Sequence, residues 1–74
     1  MKRLKIKQQN FIILGIIDAL KTNVQGKGIR ELHDIEIERG HYDSCIQFSR
    51  KDGNHIKPID FFMLGYLVGS EYQK

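Results

Sequence analysis

The chain has little of the chemistry that cross-links small proteins or marks a metal site. It contains a single cysteine, Cys45, among 74 residues. One cysteine cannot build an intrachain disulfide framework, and no group of His and Cys residues has the spacing of a zinc site. We therefore expect a reducing, cytoplasmic compartment and no metal or cofactor.

Long hydrophobic runs are also missing. The longest apolar run, Phe11–Ile17, is far shorter than the ~20 residues that a membrane-spanning helix needs. We expect one domain, residues 1–74, that removes only about 60–65% of its extended-chain surface from water on folding. Because so little stability is in reserve, contacts with a second subunit would matter more than in a larger protein.

Positive charge is concentrated at the start of the chain. Lys2, Arg3, Lys5 and Lys7 are four of the 12 basic residues, which leaves 8 basic against 9 acidic residues in the remainder. We interpret residues 1–7 as a basic N-terminal arm on a nearly neutral body. Such an arm is a weaker indication of nucleic-acid binding than cations clustered on one folded surface.

The pattern Phe-x-x-Leu-Gly occurs twice, at residues 11–15 and 61–65, each time in a strongly apolar segment. Helical periodicity predicts a first helix over about residues 6–20 with a wide apolar face. Phe11 and Leu14 are neighbours on the opposite side of that helix, so two large apolar groups are predicted to face outward.

The middle of the chain alternates polar and apolar residues. The segment 23–28, with its two glycines, is predicted to end the first helix and turn the chain. Period-two patterns over 32–39 and 44–50 predict a hairpin with one covered face. The register that places all its apolar residues on that face pairs Ile37 with Ile46 and Ile35 with Phe48.

A third strand is predicted after a turn in which Gly53 takes the left-handed position, with Ile56 opposite Phe48. Pro58 ends this strand because it cannot donate a ladder hydrogen bond. The predicted architecture is therefore an α+β fold of order α-β-β-β-α. In it a three-stranded antiparallel meander carries two helices packed on one face.

The second helix, predicted from Phe61 to about Tyr72 with Asp60 as its N-cap, has almost no polar side. A small sheet and one neighbouring helix do not cover such a helix all round. Gly65 and Gly69 form a flat strip on it, and each would cost ~1 kcal/mol relative to Ala in an exposed helix, which suggests a packing role.

These observations favour a small, non-enzymatic protein-interaction module that forms a homodimer through its C-terminal helix. Such a protein would suit an accessory or inhibitor role, for example in a mobile element. The surplus apolar groups define the expected contact. The predicted interface residues are Phe62, Met63, Tyr66, Gly69, Phe11 and Leu14.

Catalytic and metal-binding patterns are weak. Cys45 with His33, His41 or His55 matches no recognised nucleophile and base arrangement. The carboxylates Asp34, Glu36 and Glu38 occupy alternate positions of a predicted strand, about 7 Å apart. This spacing is too wide for them to share a cation easily. These residues are expected to form a solvated outer face.

Two other functions remain open from the sequence. The first is nucleic-acid binding by the basic arm and the turn after the hairpin. The residues involved would be Lys2, Arg3, Lys5, Lys7, Arg50, Lys51, His55 and Lys57. The second is capture of a small anionic ligand, such as a nucleotide, in a dimer cleft lined by Arg39, Tyr42 or Arg50.

Overall fold

The structure is a computed structural model that describes residues 2–72, with side chains described for residues 2–70. Its order along the chain is β-α-α-β-β-α. The elements are β1 Arg3–Gln9, α1 Asn10–Thr22, α2 Val24–Leu32, β2 His33–Glu38, β3 Asp43–Arg50 and α3 Pro58–Leu67, then a π-helical turn Val68–Tyr72. The α+β class is confirmed, whereas the predicted order α-β-β-β-α is wrong.

The sheet is antiparallel with strand order β1-β3-β2. Its hairpin of β2 and β3 has the predicted register, with Ile37 opposite Ile46 and Ile35 opposite Phe48. The predicted third strand is absent, and residues 54–57 form no regular element.

The place of that third strand is taken by β1. Leu4 of β1 pairs with Phe48 on the free side of β3, where the meander would have put Ile56. Ile56 is nevertheless buried, because the chain after the turn still passes over the core.

Residues 3–9 form a strand instead of an arm and the start of a helix. In β1 the exposed residues Arg3, Lys5 and Lys7 alternate with the half-buried Leu4 and Ile6. This period of two places the cations on the open face of the sheet and the apolar side chains toward the helices. Residues 3–7 of the predicted basic arm are therefore part of the folded sheet. Met1, the first residue of that arm, lies outside the described residues.

A helix replaces the turn predicted at residues 23–28. The Asn23 side chain caps α2 by accepting hydrogen bonds from the backbone N–H groups of Gln25 (2.8 Å) and Gly26 (3.3 Å). A Cβ added at Gly26 would clash with the carbonyl group of Ala19 on α1. Gly26 therefore allows α2 to pack closely on α1, which is why a glycine sits inside a helix here.

A polar clamp joins the start of α1 to the β2–β3 loop. The Asn10 side-chain amide donates to the carbonyl of His41 (3.1 Å), and the buried Ser44 hydroxyl donates to Asn10 Oδ1 (2.6 Å). The backbone N–H of Asn10 donates to the carbonyl of Tyr42 (3.0 Å). These bonds fix the direction in which α1 leaves β1 and crosses the inner face of the sheet.

The core lies between that inner face and the helices. Its buried apolar residues are Ile13, Ile16, Ala19, Leu20, Ile29, Ile46, Phe48, Ile56, Leu64 and Val68. His33 is buried among them, with Nδ1 2.8 Å from the carbonyl oxygen of Ile29. Because a carbonyl only accepts, Nδ1 carries the proton. The imidazole also packs edge-on against Phe48 and Phe61, which ties β2 to α3.

The helix α3 begins earlier than predicted. Pro58 lies at its start, where the missing N–H costs nothing, and Asp60 lies in the first turn instead of capping. Within residues 2–72, three helices, not two, therefore accompany the sheet, with α1 in contact with α2, α3 and β3.

Candidate interaction surface

Most large apolar side chains of α3 face away from the core. Phe62 and Tyr66 are 69% and 70% exposed, Ile59 is 61% exposed and Met63 is 40% exposed. Within this helix Leu64 is the buried residue. We call the group Ile59, Phe62, Met63 and Tyr66 the outer side of α3.

An apolar groove of about 420 Å³ lies beside that helix, between β1, α1 and α3. Its lining includes Ile6 and Gln8 of β1, Phe11 and Ile16 of α1, Leu64 of α3 and Gly69 of the π-helical turn. Ile16 and Leu64 are buried, so they form the floor, whereas Phe11 is exposed at the rim. Gln8 contributes the only polar side chain of the described lining.

The groove stays open because of two glycines. A Cβ added at Gly65 or Gly69 would meet no atom within 4 Å. The structure thus brings Phe11 and Gly69, two of the predicted interface residues, to the same groove. Leu14, a third, is exposed on α1 but does not line it.

On the other side of α3 a hollow of about 290 Å³ separates it from α2. Met63 and Asp60 line it from α3, and Ile29 and the half-exposed Leu32 line it from α2. The apolar surface of α3 therefore continues onto α2.

The open face of the sheet carries two rows of opposite charge. Arg3, Lys5 and Lys7 of β1 form a basic row, and the exposed Asp34, Glu36 and Glu38 of β2 form an acidic row. The strand β3 separates them, with Ser49, Gln47 and Cys45 at the matching positions. Adjacent strands lie about 4.8 Å apart, so the rows run roughly 10 Å from each other.

The turn after β3 is held by an ion pair. Arg50 donates two hydrogen bonds to Asp52, at 3.1 Å and 2.8 Å. These bonds, with one from the backbone N–H of Asn54, hold the pKa of Asp52 well below its usual range. Gly53 follows with φ of +77°, which confirms the predicted left-handed position.

The residues predicted for anion binding do not form one site. Arg50 is engaged by Asp52, while Lys51, His55 and Lys57 are exposed around the turn. Arg39 and Tyr42 lie in the hairpin loop at the opposite end of β3 from Arg50, which is roughly 20 Å along an eight-residue strand. Within one protomer these groups cannot contact the same small ligand.

In the described part of the chain, no group of three or more His, Cys, Asp or Glu residues is placed to hold a metal ion. None of the helices described there combines the length and the apolar character needed to cross a bilayer. No protein-family model, curated protein or solved structure matches the chain.

Sequence reasoning missed β1 and with it one wall of the groove. Ile6 falls where the predicted arm and the predicted first helix overlap, and Gln8 falls in that helix. The alternation from Arg3 to Lys7 is the signal that identifies a strand instead. The exposed apolar surface of Leu32 is not predicted, because the pattern places this residue at the start of the first hairpin strand, whereas in the structure it ends α2.

Proposed function

We propose that this chain is a small, non-enzymatic protein-interaction module that forms a homodimer through the outer side of α3. The observation that carries the proposal is the exposure of Phe62 and Tyr66. Exposed aromatic groups on a helix cost solubility, and contiguous apolar patches on small proteins mark interaction sites.

The size of the patch fits this role. A buried Phe or Tyr covers about 150–250 Å², so at 69% and 70% exposure these two side chains leave roughly 200–350 Å² uncovered. A typical interface covers about 800 Å² on each partner, with its apolar part at the centre. Ile59, Met63 and Leu32 extend the patch toward that size.

A second copy of the chain is the simplest partner for this surface. The helix α3 is apolar along its length, and an apolar helix face is complementary to the same face of another copy. In a two-fold dimer each protomer contributes the same patch. The charge at this surface is low, since Asp60 is the one charged residue of α3. Each copy therefore brings a single like charge to the packing of two copies of this helix.

Size-exclusion chromatography with multi-angle light scattering tests the proposal directly. The expected result is a dimer mass that falls toward the monomer mass on dilution. A monomer mass at the highest attainable concentration would refute it.

Nucleic-acid binding is the second candidate, favoured by the basic row on one face of β1. Spacing of about 7 Å between alternate residues suits contacts with successive phosphates. The acidic row roughly 10 Å away on the same face opposes such binding. The test is salt-dependent binding of duplex and single-stranded oligonucleotides at low ionic strength, and loss of binding when Lys2, Arg3, Lys5 and Lys7 are replaced by Gln.

A further inference from the structure

The strand β1 lies at an edge of the sheet, with β3 as its one strand neighbour among the described residues. An edge strand presents a row of backbone N–H and C=O groups that can pair with another strand. Beside this edge, on the inner face, lies the apolar groove that Ile6 and Gln8 line. Among the described residues, a strand edge that pairs with no second strand therefore adjoins an apolar groove.

The two faces of β1 specify what could pair with it. A strand laid along β1 points alternate side chains to opposite faces of the sheet. Those on the inner face would enter the groove over Ile6, Leu64 and Val68, where apolar groups fit. Those on the open face would stand beside the basic row, where carboxylates fit.

We propose that β1 and the apolar groove form a binding site for an extended peptide segment in which acidic and apolar side chains alternate. The peptide adds a fourth strand to the sheet, next to β1. Its backbone bonds to the edge of β1, its apolar side chains fill the groove, and its acidic side chains contact the basic row.

The glycines of α3 and the π-helical turn support this site. Gly65 and Gly69 have no side chain where one would fit without a clash, so the groove is left open at a cost in helix propensity. The site is separate from the outer side of α3, because Ile59, Phe62, Met63 and Tyr66 do not line the groove, although two of the interface residues predicted from the sequence, Phe11 and Gly69, do.

The probe is a fluorescent octapeptide, blocked at both ends, in which Glu alternates with Val and Ile. A second peptide carries Lys at every Glu position. Fluorescence anisotropy with the full chain should show saturable binding of the Glu peptide and at least about tenfold weaker binding of the Lys peptide. Amide chemical shifts in a titration should change along β1.

Two substitutions test the two faces. Gly65→Leu fills the groove and should weaken binding by at least about tenfold while leaving the protein folded. Its control is Gly28→Leu on α2, where an added Cβ also meets no atom within 4 Å. Lys5→Glu should reverse the preference between the two peptides, and the control Lys27→Glu on α2, with the same change of charge, should not.

Several results would overturn the proposal. These are equal binding of both peptides, binding that survives Gly65→Leu, or no binding of the Glu peptide to the folded protein. Assemblies of the wild type that are larger than a dimer and are lost in Lys5→Glu would also contradict it. That result would show that the edge of β1 pairs with β2 of a second copy and not with a peptide. The Tyr66→Glu variant should bind the peptide as the wild type does, so failure of the dimer and failure of this site are distinguishable.

Discussion

Replacement of Tyr66 by Glu should convert the dimer to a monomer. Tyr66 lies on the outer side of α3 and is 70% exposed in the single chain. In the dimer its ring would be covered, and a carboxylate at the same place would have to be desolvated without a cationic partner on α3. Because the position is exposed in the protomer, the fold should remain.

The size of the effect follows from the exposed area. At 70% exposure the side chain leaves roughly 100–175 Å² uncovered, which at ~25 cal/mol per Å² corresponds to about 2.5–4 kcal/mol if fully buried. If half of that area is covered in each of two copies, the dimer loses about 2.5–4 kcal/mol. The dissociation constant should then rise on the order of 100-fold to 1,000-fold.

The assay is sedimentation equilibrium or light scattering over a wide concentration range, with circular dichroism to check the fold. Tyr42→Glu is the matched control, since Tyr42 is 79% exposed and lies in the hairpin loop. This control should dimerise like the wild type. Equal loss of dimer in both variants, or no loss in Tyr66→Glu, would refute the assignment of the interface to α3.

Three further predictions concern stability, each measured by urea denaturation. Gly26→Ala should destabilise the protein by about 1–3 kcal/mol, because the added Cβ meets the backbone of α1. Gly28→Ala in the same helix should stabilise it by roughly 0.5–1 kcal/mol, because the added Cβ meets no atom within 4 Å. Equal effects of the two substitutions would contradict the packing of α2 on α1. Asn10→Ala should lower the free energy of unfolding by about 1–3 kcal/mol, because the buried Ser44 hydroxyl of β3 loses its acceptor. An unchanged free energy of unfolding would contradict a stabilising role for these hydrogen bonds. The hydrogen bonds from Arg50 lower the pKa of Asp52, so this carboxylate stabilises the fold above about pH 4 and the contribution is lost as the pH falls through the lowered pKa. Below pH 4, Asp52→Asn should therefore lose stability less steeply than the wild type, and parallel curves would contradict this.

The hairpin could be predicted from the sequence in detail because both of its strands have one covered face. A shift of one residue would have moved Ile46 and Phe48 to the solvent side, so the pattern determines the register. The N-terminal strand was not predicted, although Arg3 to Lys7 alternate just as regularly. Four cations at the start of the chain are typical of a terminal arm, and the apolar segment that follows favours one continuous helix.

The rest of the fold depends on contacts that the local sequence does not contain. Two glycines within three residues are typical of a turn, yet Gly26 lies inside a helix because it touches Ala19 of another helix. The groove is likewise formed where β1 and α1, from the start of the chain, meet α3 and the π-helical turn, from its other end, and its openness depends on the absence of side chains at Gly65 and Gly69. The sequence predicts a packing role for these two glycines, but within the described part of the protomer a Cβ added at either one meets no atom within 4 Å. It does not predict β1 as a wall of the groove.

The two charged rows restrict how the sheet edges can pair. Two copies of β1 placed edge to edge would bring basic rows together, and two copies of β2 would bring acidic rows together, so like charges oppose both symmetric pairings. Pairing of β1 with β2 of another copy matches the charges, but it is a head-to-tail contact that leaves an edge free at each end and continues into filaments. A short free peptide in which acidic and apolar side chains alternate, as in β2, can pair with the same edge of β1. Such a peptide brings no further sheet edge from a second copy, so the assembly does not continue. The charge pattern that blocks symmetric edge pairing thus selects the composition of the strand that β1 can accept.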